Sequence, residues 1–163
     1  MPSLPRLATL TVSDSRTAAD DHGGPELRRL LAAAGFHLGS HAIVPDGVAS
    51  VRDAVAALCA DAAIDAVVTT GGTGISPRDQ TYEAIEGLLD RRLDGFGEAF
   101  RRLSWDEIGP RAILSRALAG TVAGKIVVAL PGSPRALALA VERILAPLLP
   151  HAVAVARGRG DHR

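Results

Sequence analysis

With 163 residues, 47 % of them hydrophobic, the chain is long and apolar enough for a single domain (residues 1–163) built round a sizeable core. Its 18 basic and 18 acidic side chains cancel, which removes the electrostatic case for a nucleic-acid partner; the single cysteine excludes an internal disulfide and a thiolate zinc cluster. No basic start precedes an apolar stretch at the N-terminus and no run approaches membrane-spanning length, so a cytoplasmic protein with no membrane partner is expected.

Leu7 to Val12 reads as an apolar strand that closes on Ser13 and Asp14. A polar loop, Ser15 to Gly24, leads to a helix opened by Pro25 and stopped by Gly35, with Leu27, Leu30, Leu31 and Ala34 on its apolar side. His37 to Val44 is a second strand, broken by Pro45-Asp46-Gly47. Val51, Val55 and Leu58 then space a second helix, in which Cys59 falls in the apolar pattern as a core residue. Ile64 to Val68 is a buried third strand that runs into a glycine-rich loop, followed by a helix from Tyr82 to Leu89. Gly95 to Leu103 reads as another short helix. Ser104 and Glu107, three apart, fit a capping box. Gly109-Pro110 interrupts the chain, and Arg111 to Leu118 is expected to be helical. Lys125 to Leu130 is the last buried strand. After the turn Pro131-Gly132-Ser133-Pro134, Ser133 suits an N-cap and Pro134 a first helical position, and the final helix carries Leu137, Val141, Ile144 and Leu148.

Strands alternating with helices imply an α/β fold with a mostly parallel sheet covered on both faces, and ligands bind such sheets at the carboxyl ends of the strands. Ser13-Asp14, Pro45-Asp46, the loop after the third strand and Pro131-Gly132-Ser133 all follow strands and should gather at one edge. The glycine loop lies within TTGGTGISPRDQTYEA (69–84). Its glycines let the backbone approach an anion, and the helix that follows offers unpaired N–H groups. It is neither a Walker loop, since the only lysine is Lys125, nor GxGxxG. The histidines show no metal-ligand spacing, so zinc is not expected.

The segments TVSDSR (11–16), IVPDG (43–47), TTGGTGISPRDQTYEA (69–84), GFGEAFRRLSWDEIG (95–109), SRALAG (115–120) and ALPGSPRA (129–136) together resemble the MoaB/MogA family of molybdenum cofactor biosynthesis, which includes the G domain of gephyrin. The wording of 95–109 and 115–120 is closer to the MoaB branch. The resemblance covers Leu7 to about Leu149. It implies a three-layer αβα domain, a trimer or a pair of trimers, and molybdopterin adenylyltransfer: ATP and molybdopterin give adenylyl-molybdopterin and pyrophosphate with Mg²⁺. It also leaves room for a MoaB-like oligomer that binds pterin or nucleotide without catalysis.

On that resemblance Asp46 and Asp79 are the catalytic pair and the candidate Mg²⁺ ligands. Read as residues alone, Asp46 suits a turn or helix cap and Asp79 a cap on the helix near Thr81. The resemblance assigns Gly71, Gly72, Thr73 and Gly74 to phosphate, with Thr81 and Glu83 from the same motif and Arg78 as a further contact. Read alone, Thr81 suits an N-cap and Glu83 a favourable first-turn acid, and Arg78 equally fits a solvated loop arginine. Ser115 and Arg116 match a pterin-side anchor, since a hydroxyl and a bidentate guanidinium suit phosphate; read alone, they form a helix-surface pair at a subunit contact. Pro131, Gly132 and Ser133 match the turn lining the nucleotide pocket, with Ser13 and Asp14 supporting at the same edge. Phe100 and Trp105 are expected in a subunit contact. One departure stands out: the family pattern D-x-S-G reads Asp21-His22-Gly23-Gly24 here, without the serine hydroxyl.

Overall fold

Strand and helix alternate along the chain as β1 (Arg6–Val12), α1 (Gly23–Ala33), β2 (His37–Val44), α2 (Val48–Ala60), β3 (Ala66–Thr70), α3 (Thr81–Glu86), β4 (Arg91–Arg92), α4 (Asp94–Ile108), β5 (Leu118–Val122), β6 (Lys125–Leu130), α5 (Pro134–Ala140) and α6 (Ala146–Ala156). A 3₁₀ turn, Gly109–Leu114, follows α4, and a π turn, Val141–Leu145, joins α5 to α6. The computed structural model describes residues 3–15, 19 and 21–160. Arg16 of the TVSDSR segment, part of the loop expected over Ser15 to Gly24, and His162 with the end of the basic tail lie outside them.

The strands form one sheet in the order β2-β1-β3-β6-β5-β4. The four strands β2, β1, β3 and β6 are parallel, and β5 and β4 continue the sheet antiparallel. Successive residues of a strand face opposite sides. Leu7, Val68 and Val128 accordingly pack with α1, α4 and the α5–α6 rod, whereas Ala8, Val67 and Val127 pack with α2 and α3. This is the three-layer αβα arrangement with a mostly parallel sheet. Cys59 is buried in the α2 layer.

Expectations about α4 and the segment after it need correction. Ser104 caps nothing: α4 is continuous to Ile108, and Ser104 is the small residue on a buried stripe with Phe96, Gly97 and Phe100. Phe100 itself is core, stacked on Phe96 at 6.3 Å between ring centroids, whereas Trp105 is 48 % exposed. Arg111 to Leu118 is not one helix either. The 3₁₀ turn ends at Leu114, and Leu118 starts β5, which returns through Ala123 (φ 50°) and Gly124 (φ 77°) to pair with β6. Two successive positive φ values are the signature of a tight hairpin turn.

The 23-residue rod Pro134–Ala156 is long and apolar enough to pass for a membrane span, with a mean hydropathy of 1.5 over its most apolar window, which corrects the expectation that no run approaches that length. Here it is a core helix of the α1 layer: Leu137, Val141, Leu145, Leu149 and Val153 are buried on one side. Its phase shifts where the Ala146 N–H bonds to Val141 five residues back. Pro147 follows at once, and its ring lacks an N–H and crowds the carbonyl four residues before it. The extra residue in that turn puts Leu149 (1 % exposed) in the core and turns Leu148 (39 %) outward, reversing the unbroken spacing 137, 141, 144, 148. Leu149→Ala should therefore cost about 2–5 kcal/mol and Leu148→Ala about 1 kcal/mol or less, read from the urea unfolding midpoints of the two variants.

Candidate active site at the carboxyl edge of the sheet

The parallel strands β1, β3 and β6 end side by side, and the segments leaving them enclose a cavity of about 480 Å³. Its wall includes Thr11 to Ser13 at the end of β1, Gly71 to Gly74 and Asp79 after β3, and Pro131 and Gly132 after β6. Asp21 and Gly23 from the start of α1 close one side, and Ile108, Arg111, Leu114 and Ser115 another. The expected convergence of strand ends is thus present in the fold, and the volume suits a nucleotide-sized ligand.

The glycine loop is shaped by what holds its carbonyls. The Gly71 N–H bonds to the Leu130 carbonyl (2.9 Å), fastening the loop to β6. The Thr81 hydroxyl donates to the Gly71 carbonyl (2.9 Å), and the Thr81 N–H donates to Gly72 (3.1 Å). Arg116 takes the rest: its N–H donates to the Thr73 carbonyl (2.8 Å), its Nε to Gly74 (2.9 Å) and its Nη2 to Asp79 (2.8 Å), while the guanidinium pairs with Glu83 and lies over the Tyr82 ring. The N–H groups of Gly72, Thr73 and Gly74 are left without a partner among the described residues. Consecutive unpaired N–H groups on a cavity wall form an anion-binding nest. Gly71 and Gly72 must be glycine. Both have positive φ (101° and 73°), and a Cβ would stand 2.3 Å from the Val12 carbonyl oxygen at Gly71 and 2.1 Å from the Thr81 hydroxyl at Gly72.

Two carboxylates flank this nest. A Cβ on Gly72 would be 3.2 Å from Asp46 Oδ1, and one on Gly74 would be 2.7 Å from Asp79 Oδ2. Asp79 is held by the Ser76 N–H (3.0 Å), not by a cap on α3. Asp46 and Asp14 exchange bonds: the Asp46 N–H donates to Asp14 Oδ1 (2.9 Å) and the Asp14 N–H to Asp46 Oδ2 (3.2 Å). Burial pushes the Asp46 carboxyl above its ordinary value; the Asp14 and Asp79 charges add to that, and the Asp14 N–H and Arg78 oppose it. The site therefore has an excess of negative charge at Asp46, which a cation would relieve. Asp46 and Asp79 would be the residues to hold a divalent ion here. Among the described residues no group of three or more His, Cys, Asp or Glu side chains could hold a metal alone, so phosphate oxygens and water would complete its shell.

Not every residue nominated from the sequence reaches the cavity. Arg116 and Glu83 form a clamp behind the loop, off this cavity, where with Asp79 and Gln80 they line a second one of about 410 Å³; their hydrogen bond holds the Glu83 carboxyl below its usual value. Thr81 is buried under the loop and is the first residue of α3, not its cap. Arg78 is exposed and off the cavity wall. Ser133 caps α5, accepting the Ala136 N–H (3.3 Å), while Pro131 and Gly132 line the wall. Ser13 and Ser115 line it too, whereas Asp46 and Asp14, bonded to each other beside Gly72, lie off its wall.

Residues not nominated are there as well. Asp21, 5 % exposed, accepts the Thr11 hydroxyl (2.7 Å) and the Gly24 N–H (2.9 Å), with His41 Nε2 at 3.3 Å. Burial pushes its carboxyl up, but the bonds from Gly24, Thr11 and His41 outweigh burial and hold it below the ordinary value. The Arg28 guanidinium donates to the Thr9 hydroxyl (2.8 Å), which meets His41 Nδ1 at 2.8 Å, so a polar chain runs from α1 to Asp21. Asp21 was visible in the sequence only as a neighbour of the missing serine. Gly23, at the serine position, is not crowded: a Cβ there would lie 3.5 Å from Thr70 Oγ1 and from the Gly132 carbonyl oxygen, ordinary contact distances.

Comparison with known proteins bears on family and fold. The family model described as "Probable molybdopterin binding domain" matches residues 8–151. The molybdenum cofactor biosynthesis protein B of Bacillus cereus is 43 % identical over 151 residues, which cover 92 % of this chain and 89 % of that protein. A crystal structure of a molybdenum cofactor biosynthesis protein B matches with a TM-score of 0.93 at 42 % identity, covering 97 % of this chain and 99 % of that one. The molybdopterin biosynthesis enzyme MoaB from Thermus thermophilus matches with a TM-score of 0.82 at 33 % identity, covering 96 % and 99 %.

The raised Asp46 carboxyl carries a stability consequence. Where folding raises an acid's pKa, the folded state holds more protons than the unfolded one, so stability falls as pH climbs through that interval. Asp46→Asn removes the ionised form and should stabilise the fold at pH 7 by about 1 kcal/mol or less. The gain should vanish as pH drops below the ordinary aspartate range, as thermal unfolding midpoints measured against pH would register.

Proposed function

The chain belongs to the MoaB/MogA family of molybdenum cofactor biosynthesis, and on that premise we propose that it is a molybdopterin adenylyltransferase of that pathway. A terminal phosphate oxygen of molybdopterin attacks the α-phosphorus of ATP, the bond from that phosphorus to the bridging oxygen breaks, and pyrophosphate leaves. The observation that carries the reading is the nest of Gly72, Thr73 and Gly74 N–H groups between Asp46 and Asp79.

Joining two anions is opposed by their repulsion, so the site acts by alignment and charge balance. The nest binds phosphate oxygens with dipoles that Arg116 and Thr81 have already oriented, so no reorganisation accompanies binding. Asp46 and Asp79 would hold Mg²⁺, which when bound neutralises phosphate charge. Ile108 and Leu114 give the cavity an apolar side against which a ring can lie. A homotrimer or a pair of trimers would cover the exposed Trp105 and Ile113 at the corner after α4.

Gly23 favours a second reading, a family member that binds pterin or nucleotide without turnover. A hydroxyl that the family pattern places on this wall is absent from this chain.

Pyrophosphate release from ATP, measured with and without purified molybdopterin and Mg²⁺, separates the two readings. The adenylyltransferase requires all three components, and Asp79→Ala should lower turnover on the order of a hundred-fold or more while leaving the elution volume and thermal midpoint of the oligomer unchanged. Ligand binding without release would establish the second reading.

A further inference from the structure

A polyphosphate lying on the nest would still need a cation for its outer charge. The cavity wall carries two carboxylates, Asp21 and Asp79, and neutral N–H groups alone do not balance them and a phosphate chain together. The arginine that the family pattern suggests for phosphate, Arg116, is committed to the Gly74 and Asp79 carbonyls and to Glu83. Arg78 stands off the wall, and the one lysine, Lys125, begins β6 at the far edge of the sheet and donates to the Asp61 carbonyl. Among the described residues, the one cationic side chain lining the cavity is Arg111.

Arg111 falls between two family segments, 95–109 and 115–120, and belongs to neither. The 3₁₀ turn presents it to the cavity. Ala112, 1 % exposed, anchors the turn in the core, and the Ser115 N–H closes it on the Ala112 carbonyl (3.2 Å), leaving Arg111 and Leu114 exposed on the cavity wall. Arg28, Arg101, Arg116 and Arg157 each have hydrogen-bond acceptors in the fold; Arg111 has none among the described residues. A guanidinium on a ligand cavity with no acceptor of its own is suited to an oxyanion brought by the ligand.

We propose that Arg111 is a phosphate-binding residue of this site, gripping a phosphate of the bound anion that the glycine nest does not reach. The proposal rests on the reading of the cavity as a phosphate-ester site. The shared chemistry is a phosphate monoanion or dianion, and its source is either the nucleotide tail or the pterin phosphate.

The test is equilibrium binding at fixed salt of a non-hydrolysable ATP analogue, AMP, adenosine and purified molybdopterin to the wild type, Arg111→Ala and Arg111→Lys, with matched thermal midpoints as the folding control. Arg111→Ala should weaken at least one phosphate-bearing probe about ten- to a hundred-fold and leave adenosine unchanged. Arg111→Lys should recover part of the loss, because it keeps the charge and loses the fork. A loss on the ATP analogue alone assigns Arg111 to the outer phosphates, an equal loss on AMP to the α-phosphate, and a loss confined to molybdopterin to the pterin phosphate; each supports the proposal. Equal binding of every probe by wild type and Arg111→Ala overturns it, as does a wild type that binds none of the phosphate probes. Should the wild type bind ATP but release no pyrophosphate, the adenylyltransferase reading fails while the role of Arg111 is still decided by these affinities.

Discussion

The site depends on one constraint: the carbonyls of the glycine loop must be occupied so that its N–H groups face the cavity. Arg116 and Thr81 meet it together. A guanidinium has several donors fixed in one plane, and here they reach the Gly74 and Asp79 carbonyls while Glu83 balances the charge. Thr81 secures the other end of the loop from the first turn of α3, donating to Gly71 and Gly72. A loop of free glycines would lose conformational entropy on binding an anion. With its carbonyls already bonded, this loop has met much of that cost on folding.

The same constraint explains why Arg116 stands behind the loop instead of in the cavity. A charged side chain can orient a backbone or neutralise a ligand, and the bonds of Arg116 show the first use. The charge at this edge of the sheet is then set by others. Burial, with the Asp14 and Asp79 charges adding to it, pushes Asp46 up, whereas Asp21, despite its burial, is held down by bonds from Gly24, Thr11 and His41. Two carboxylates at one edge of a sheet are thus driven in opposite directions, one chiefly by burial and the other by its hydrogen bonds. The one held down behaves as part of the scaffold, and the one pushed up is where an added cation has most to gain.

Much of the fold could be read along the chain because its central strands are buried on both faces and its helices carry regular apolar spacing. The parallel order of the strands and the gathering of their ends followed from alternation alone. Readings failed where local chemistry met a stronger tertiary demand. Ser104 and Glu107 have the spacing of a capping box, but the stripe Phe96, Phe100, Ser104 keeps α4 helical through them. Leu118 and Ala119 suit a helix by propensity, yet the pairing edge of β6 takes them as a strand. Pro147 displaces the apolar pattern of the last helix by one residue, which no count of spacings before it reveals.

By itself the sequence determined the αβα class and the glycine loop, because glycine placement and strand alternation are local properties that survive in one dimension; Asp46 and Asp79 were singled out by resemblance. Only the tertiary structure decided which polar groups serve the loop and which serve the cavity. Arg116 and Glu83, 33 residues apart, pair behind the loop, Asp21 meets His41 across β1, and Arg111 reaches the wall from a turn no motif covers. Those assignments depend on which partners arrive within hydrogen-bond distance, and that is settled when the strands stack, not when the residues are ordered along the chain.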